Sequence, residues 1–284
     1  MVNTKDLNWR ALVLADAGAA VALNAEAGWN QTVADWRFML TLGEGTGVYN
    51  EGVVATSVLL PHGGYFAWIA MILVTTEWQR QGLARELMRR CIERSEALGL
   101  IPGLDATEAG RAVYLPLGFH DIYPLTRWQA DGTDLPPPDP GAGVRAMLAE
   151  DMAVVTAWDA DVFGAPRGEL LAHLHGRCPG RAYLLETSGD VHGFVLARDG
   201  RLATQIGPLS ADSTEGALVL LRAALADQTG PVFLDAADHH WGVVRWLGEA
   251  GFSKQRGYMR MLLGARSPID DPNRVFLIAG PELG

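Results

Sequence analysis

The stretch ILVTTEWQRQGLARELM, from residue 72 to 88, has the residue types and spacing of an anion-binding site. An apolar strand stops at Val74, and from about Gly82 a helix follows with apolar side chains at helical spacing. The first turn of a helix presents unpaired N–H groups at the positive end of its dipole, which suits a pyrophosphate. Gly82 lets such a group approach the backbone because it has no Cβ, and Arg80 and Arg85 add positive charge. The alternative interpretation is an ordinary joint between a strand and a helix.

The elements around this joint recur in both halves of the chain. In the first half the patterns predict strands at 9–14, around VVATSVLL, at 66–74 and at 101–106, with helices at 16–27, after Thr32, at 82–98 and before Gly118. In the second half they predict strands at 182–186, in VHGFVLA, in LATQIGPL and at 231–235, with helices at 213–227 and 239–250. The dipeptide GF occurs at 118–119 and 251–252, and an arginine follows nine residues after each glycine. We therefore predict a diverged tandem duplication with an α/β (α+β) mixed-sheet fold.

A proline-rich segment separates the two halves. DGTDLPPPDPGAG, residues 131–143, cannot lie inside a helix or a central strand and is typical of a semi-rigid linker. The predicted organisation is a domain at 1–130, the linker at 131–143, a second domain at 144–264 and a tail at 265–284 that contains one short apolar strand.

Composition narrows the class of protein. The 284 residues are 49% hydrophobic and carry a net charge of −10, which argues against nucleic acid or an anionic membrane as partner. The longest apolar run has nine residues, too short to span a bilayer, and the N-terminus lacks a signal-like apolar stretch, so we expect a cytoplasmic protein. No His, Cys, Asp or Glu set has metal-ligand spacing, so no metal is expected. The oligomeric state cannot be inferred.

Two motifs together resemble those of the GNAT superfamily of acyl-CoA-dependent N-acetyltransferases. Gln79, Gly82 and Ala84 match the family's R/Q-x-x-G-x-G/A pattern after a strand that ends in valine. Tyr114 matches a family tyrosine four residues before GF. The resemblance covers residues 1–130 by motif and 144–264 by architecture, as in a subgroup with a second GNAT-like domain at its C-terminus.

The resemblance implies an acetyltransferase that uses acetyl-CoA as cosubstrate and acts by direct attack of an amine in a ternary complex. Backbone atoms of Ile72, Leu73 and Val74 would pair with the pantetheine arm. Backbone N–H groups of the following loop would hold the pyrophosphate, with side chains adding charge; these residues are Gln79, Arg80, Gln81, Gly82, Leu83, Ala84 and Arg85. Tyr114 would be the general acid near the thioester sulfur.

The general base and the acceptor site are less well defined. Many family members place a glutamate on the strand before the phosphate loop, but FAWIAMILV has no ionisable residue. Asp105, at the end of the next strand, is a candidate base; a water relay or an amine that arrives neutral are the alternatives. Trp29, Asn30 and Gln31 lie in a region that lines the acceptor site in the family, although Asn30 could equally be a turn residue.

The second half lacks the catalytic features of the first. On the GF landmarks, Leu247 takes the place of Tyr114, while Ala217 and Glu215 take the places of Gly82 and Arg80. We therefore expect a silent domain and one acetyl-CoA per chain. That domain either shapes the acceptor pocket or only packs; the candidates for shaping it are Asp235, Asp238, His239, Arg256 and Tyr258.

The acceptor is predicted to be a small-molecule amine, cationic in solution, in a cleft between the two domains. Residues 131–284 carry 13 Lys and Arg against 20 Asp and Glu, so acidic walls would attract a cation. The rival functions are a non-catalytic CoA-binding sensor or scaffold, and a protein lysine acetyltransferase.

Overall fold

The computed structural model describes residues 7–138 and 142–284, so part of the predicted linker lies outside the described residues. Before the linker the elements are β1 (Asn8–Ala11), α1 (Ala17–Ala27), α2 (Val33–Leu42), β2 (Glu44–Tyr49), β3 (Val53–His62), β4 (Phe66–Val74), α3 (Leu83–Ala97), β5 (Ile101–Ala106), α4 (Glu108–Tyr114) and β6 (Phe119–Gly132). After it they are β7 (Val144–Ala146), α5 (Met152–Phe163), α6 (Gly168–Arg177), β8 (Tyr183–Thr187), β9 (Asp190–Arg198), β10 (Thr204–Ala211), α7 (Thr214–Leu225), β11 (Thr229–Ala237), α8 (Trp241–Glu249), β12 (Ser253–Leu263) and β13 (Val275–Leu277).

Most predicted elements are present, and local chemistry explains where they begin. Thr32 caps α2 by accepting from the N–H of Asp35, whose carboxylate accepts in return from the N–H of Thr32. The glycine-rich stretch at 43–47, which has the composition of a nucleotide loop, instead contributes to strand β2. α5 and α6 had no sequence prediction. No helix in the described parts of the chain is long and apolar enough to cross a membrane.

The described strands form a single 13-stranded sheet in which the two halves exchange a strand. The order is β1-β2-β3-β4-β5-β12-β6-β11-β13-β10-β9-β8-β7. β12, from the second half, pairs antiparallel with β5, and β6, from the first half, pairs antiparallel with β11. β6 and β12 also pair with each other. The last long strand of each half thus completes the sheet of the other.

One apolar cluster also joins the two halves. It contains Leu23 of α1, Trp36 of α2, Val155 of α5 and Leu170 of α6, packed over Trp68 of β4. Other clusters hold α3 against β4 and β5, and α7 and α8 against the distal end of the sheet. Because the first cluster mixes residues from both halves, neither half has a complete core of its own. The domain boundaries predicted from sequence therefore divide the chain into two halves, but these halves share one sheet and one apolar cluster.

The parallel strands β4 and β5 diverge and leave a cleft. They pair only from Phe66 opposite Ile101 to Trp68 opposite Gly103. Beyond that point β4 has a bulge against β3, where Met71 adopts a φ of 54° and its carbonyl accepts from Thr56 Oγ1 at 2.9 Å. Within residues 7–138 and 142–284, the remainder of β4 consequently has no strand partner on the β5 side.

The corresponding strands of the second half, β10 and β11, diverge as well, but their gap is filled. They pair in parallel from Thr204 to Ile206 of β10, and the register of β10 against β9 then shifts before Leu209. The short strand β13 from the tail lies in the gap and pairs with both β10 and β11. A Cβ on Gly207 would lie 2.1 Å from the carbonyl oxygen of Ile278, so the tail backbone approaches as closely as a glycine allows.

Candidate active site

The loop between β4 and α3 is built to leave its backbone N–H groups available. A 3₁₀ turn at Thr76–Trp78 follows β4, and Trp78 is buried beneath it. Gln79 Nε2 donates to the Val74 carbonyl at 3.2 Å, which ties the loop to the strand end. Gly82 caps α3 in the left-handed region with φ 88°, and a Cβ there would meet nothing within 4 Å. The conformation therefore favours glycine, and the space beside it is open.

Among the described residues, the N–H groups from Arg80 to Arg85 have no hydrogen-bond partner. The side chains of Arg80 and Arg85 are exposed and form no ion pair within the described parts of the chain. Unpaired N–H groups, a helix dipole and two cations at one place suit a phosphate. The residues predicted for the phosphate loop are thus brought together.

A cavity of about 340 Å³ runs from this loop into the gap between β4 and β5. The strands β4 and β5 line it with Ile69, Ala70, Met71, Ile72, Val74, Leu104, Asp105 and Ala106. The loop and the first turn of α3 add Gln79 and Ala84, and α4 with its cap adds Thr107, Ala109, Gly110, Val113 and Tyr114. The other lining residues are Trp29, Gln31, Arg127, Tyr258, Pro281 and Glu282. Ile72 and Val74, predicted to lie beside the pantetheine arm, line the cavity, whereas Leu73 is buried in the core between them.

Tyr114 lies in the wall of this cavity, as the last residue of α4. Its ring packs against Gly110, where a Cβ would lie 2.9 Å from the ring, and its centroid is 6.1 Å from that of Phe119. Its hydroxyl has no hydrogen-bond partner among the described residues. Burial, and to a smaller extent Cys91, raise the pKa of Tyr114 above its usual value. The phenol therefore stays protonated at neutral pH and has a proton to donate.

Asp105 also lines the cavity, but both of its oxygens are engaged. Arg260 Nε and Nη2 donate to them at 3.0 Å each, and the Asp105 side chain is fully buried. Burial raises the pKa of Asp105, while Arg260 opposes that shift without cancelling it. Asp105 is one half of an ion pair that joins β5 to the exchanged strand β12. The structure therefore gives it a structural part and does not favour it as the base.

A second ion pair repeats this arrangement in the other half. Arg127 of β6 donates through Nε and Nη2 to Asp235 of β11, at 2.8 Å each. The two arginines are those that follow the GF landmarks, and each pairs with an aspartate on the other half's parallel strand. The two arginines found through the GF spacing thus form the ion pairs that attach each exchanged strand to the other half.

Only two of the three residues predicted for the acceptor pocket line the cavity. Trp29 and Gln31 line the cavity, and Gln31 Oε1 accepts from Asn24 at 2.8 Å. Asn30 does not line it: its amide donates to the Ala203 carbonyl at 3.0 Å and accepts from the N–H groups of Leu202 and Ala203. The prediction for Asn30 is wrong because its side chain is used to attach the 200–203 loop to the first half.

The second half and the tail contribute walls that sequence reasoning largely missed. Of the five second-half candidates for shaping the pocket, only Tyr258 lines it. Pro281 and Glu282 of the tail lie with it at the far end from the phosphate loop, beside Arg127 of the first half. No local motif marks Pro281 or Glu282, because the tail reaches the cavity only through the pairing of β13. Within the described residues no group of three or more His, Cys, Asp or Glu could hold a metal ion.

Comparisons with known proteins agree with this architecture. A model of the acetyltransferase (GNAT) family matches residues 22–119, and a model of an acetyltransferase (GNAT) domain matches residues 155–277. An uncharacterized N-acetyltransferase of Bacillus subtilis (strain 168), YitH, is 24% identical over 90% of this chain and 92% of its own.

Two solved structures share the fold. A putative acetyltransferase from Pyrococcus horikoshii superposes with a TM-score of 0.80 at 20% identity, covering 100% of this chain and 98% of its own. A tandem GNAT protein from the clavulanic acid biosynthesis pathway gives 0.65 at 16% identity, over 90% of this chain and 98% of its own.

The class is thus an acyltransferase with two like domains in one chain. The two matching models together span more than half of the sequence, so the chain belongs to the GNAT acetyltransferases and carries two GNAT domains in tandem. The resemblance drawn from the phosphate loop and Tyr114 is confirmed at the level of the family.

Proposed function

We propose that the first half transfers an acetyl group from acetyl-CoA to a small primary amine, by direct attack within a ternary complex. The observation that carries the proposal is the contrast between the two clefts. The gap between β4 and β5 opens onto a loop whose N–H groups have no partner among the described residues and could bind a phosphate. The gap between β10 and β11 is filled by β13.

The residues of the first half have distinct parts in this reaction. The unpaired edge of β4 from Ile72 to Val74 hydrogen-bonds the pantetheine arm as an added strand would. The loop from Gln79 to Arg85 binds the pyrophosphate. The acceptor nitrogen attacks the thioester carbonyl carbon, the C–S bond breaks, and Tyr114 donates its proton to the departing sulfur. The proton that the nitrogen loses on becoming an amide restores the Tyr114 hydroxyl.

The enclosure of the far end of the cavity favours a small acceptor. Arg127, Tyr258 and Glu282 close that end, and they belong to the exchanged strands and the tail rather than to an open surface. A protein lysine would need an exposed groove, so this rival is disfavoured. A CoA-binding sensor remains the competing function, and the protonated Tyr114, whose hydroxyl has no partner among the described residues, favours the enzyme.

The test is an amine panel with acetyl-CoA, followed by release of free CoA and by mass spectrometry of the amine. We use ethanolamine, cadaverine, phenethylamine and lysine methyl ester, with a lysine-containing peptide as the protein surrogate. The proposal expects acetylation of at least one small amine in preference to the peptide. Tight binding of acetyl-CoA with no acetylated product from any amine would favour the sensor instead.

A further inference from the structure

The tail after β13 is folded so as to place one carboxylate in the cavity wall. The N–H groups of Leu283 and Gly284 both donate to the Gly280 carbonyl, at 2.9 and 3.2 Å, and form a tight turn. Trp68 Nε1 of β4 donates to the Pro281 carbonyl at 2.9 Å and fixes the turn against the first half. The residue that this turn presents to the cavity is Glu282.

Glycine at position 280 leaves room for the charged group. Gly280 has a φ of 146°, and a Cβ there would lie 2.9 to 3.0 Å from the Glu282 carboxylate and from Arg198. A larger residue would displace the carboxylate from its present place. The placement of Glu282 therefore depends on the backbone around it as well as on its own side chain.

Glu282 is buried, but one oxygen of its carboxylate accepts no hydrogen bond from the described residues. Its Oε1 pairs with Arg198, but its Oε2 has no partner among the described residues, and the side chain is only 2% exposed. Arg198 is shared, since it also pairs with Asp35 at 2.8 Å. An unsatisfied buried carboxylate oxygen is costly, so a ligand in the cavity that supplies a donor would be bound favourably.

The buried charges around this end of the cavity are also unbalanced. Five carboxylates whose side chains are at most 2% exposed pair with buried arginines here; they are Asp35, Asp105, Asp235, Asp270 and Glu282. The buried guanidinium groups that pair with them are Arg127, Arg198 and Arg260, with Arg177 joining Asp35 from the edge. Among these described residues five carboxylates face four guanidinium groups, so one carboxylate lacks a matching cation, and a cationic acceptor would supply it.

We infer that Glu282 binds the ammonium group of the acceptor and takes a proton from it before attack. β4 offers no ionisable residue, and both oxygens of Asp105 are held by Arg260, so Glu282 is the cavity carboxylate with a free oxygen. An N–H bond of the ammonium breaks and an O–H bond forms on Glu282, and the neutral nitrogen then attacks. The second proton that the nitrogen loses on becoming an amide replaces the one that Tyr114 gives to sulfur, and the proton on Glu282 passes to water after turnover. This inference rests on the proposed function.

The decisive comparison uses two amines of different basicity with the Glu282→Gln variant. Phenethylamine is protonated at neutral pH, whereas the nitrogen of trifluoroethylamine is largely neutral because fluorine withdraws electrons. Loss of a general base should lower kcat/KM for phenethylamine by on the order of 10²-fold or more, and that for trifluoroethylamine far less. The dissociation constant for acetyl-CoA should not change.

The matched control is Glu249→Gln, which removes the same charge from an exposed site on α8, where the side chain is 68% exposed. It should leave both amines unaffected. Glu282→Asp keeps the charge and should retain more activity than Glu282→Gln toward phenethylamine. Equal losses for both amines, or no loss for either, would overturn the inference. If the unaltered protein acetylates no amine at all, the proposed function itself fails.

Discussion

Within the described parts of the chain, Tyr114, our proposed proton donor, is held in place by packing rather than by hydrogen bonds. Its ring lies against Gly110 and Phe119, and burial keeps its pKa above the usual value. We predict that Tyr114→Phe, which keeps the packing, lowers kcat by roughly 10²-fold with little change in acetyl-CoA affinity. Single-turnover CoA release, alongside an acetyl-CoA titration, measures both quantities. Full kcat in the variant would show that Tyr114 only contacts the cosubstrate.

His62, at the end of β3, makes stability depend on pH. Burial and the nearby Arg167 lower its pKa from 6.5 to about 3. Between pH 3 and pH 6.5 the folded state therefore binds fewer protons than the unfolded chain. Its stabilisation is complete above pH 6.5 and is lost as pH falls toward 3. We predict a loss of roughly 1–2 kcal/mol in the free energy of unfolding between pH 7 and 5 from this group.

His62→Phe should flatten that dependence, as measured by urea denaturation at pH 7, 6 and 5. Part of the slope should persist, because burial also lowers the pKa of His173 and of His240. An identical slope in the variant and the unaltered protein would show that His62 does not control it.

Single residues show how far the sequence could be used to predict the site. Gly82 and Tyr114 could be selected from the sequence because each belongs to a short motif with fixed spacing along the chain. The ion pair of Asp105 could not be predicted, because its partner Arg260 lies 155 positions away and reaches it only through the exchanged strand. Glu282 carries no local signal at all, since its place depends on where the tail re-enters the sheet.

The phosphate loop and α3 give a prediction at the scale of one element. Gly82→Glu should abolish acetyl-CoA binding, because a negative side chain enters the anion site and a left-handed φ is forced on a non-glycine residue. Equilibrium dialysis with acetyl-CoA measures the effect.

Gly99, just after the other end of α3, offers a matched control. It has a φ of 69°, and its Cβ position is equally open. Gly99→Glu should show similar backbone strain and normal acetyl-CoA binding. If Gly99→Glu loses binding to the same extent, the effect of Gly82→Glu comes from destabilised backbone and not from the anion site.

The strand exchange sets the behaviour of the whole molecule. Without β12 and β11, β6 loses both neighbours, β5 loses one, and the buried Arg127 loses Asp235. We predict that residues 1–140 alone do not fold, as judged by circular dichroism and amide exchange, and that the full chain unfolds in one cooperative transition.

Co-expression with residues 141–284 is the control, and should restore a folded complex. A folded fragment 1–140 that binds acetyl-CoA would contradict an interdependent fold.

The order of the elements in each half could be predicted from sequence, since it follows from local patterns. Their exchange could not, because the pairings of β6 with β11 and of β12 with β5 join residues that lie far apart in the chain.

The gap between β4 and β5 is open, whereas the gap between β10 and β11 is closed by β13. Isothermal titration of the full chain with acetyl-CoA, with Gly82→Glu as the reference, measures whether this difference sets the number of binding sites. We predict one acetyl-CoA site per chain, and no binding in the variant. Two comparable sites per chain, or a site that survives in Gly82→Glu, would contradict it.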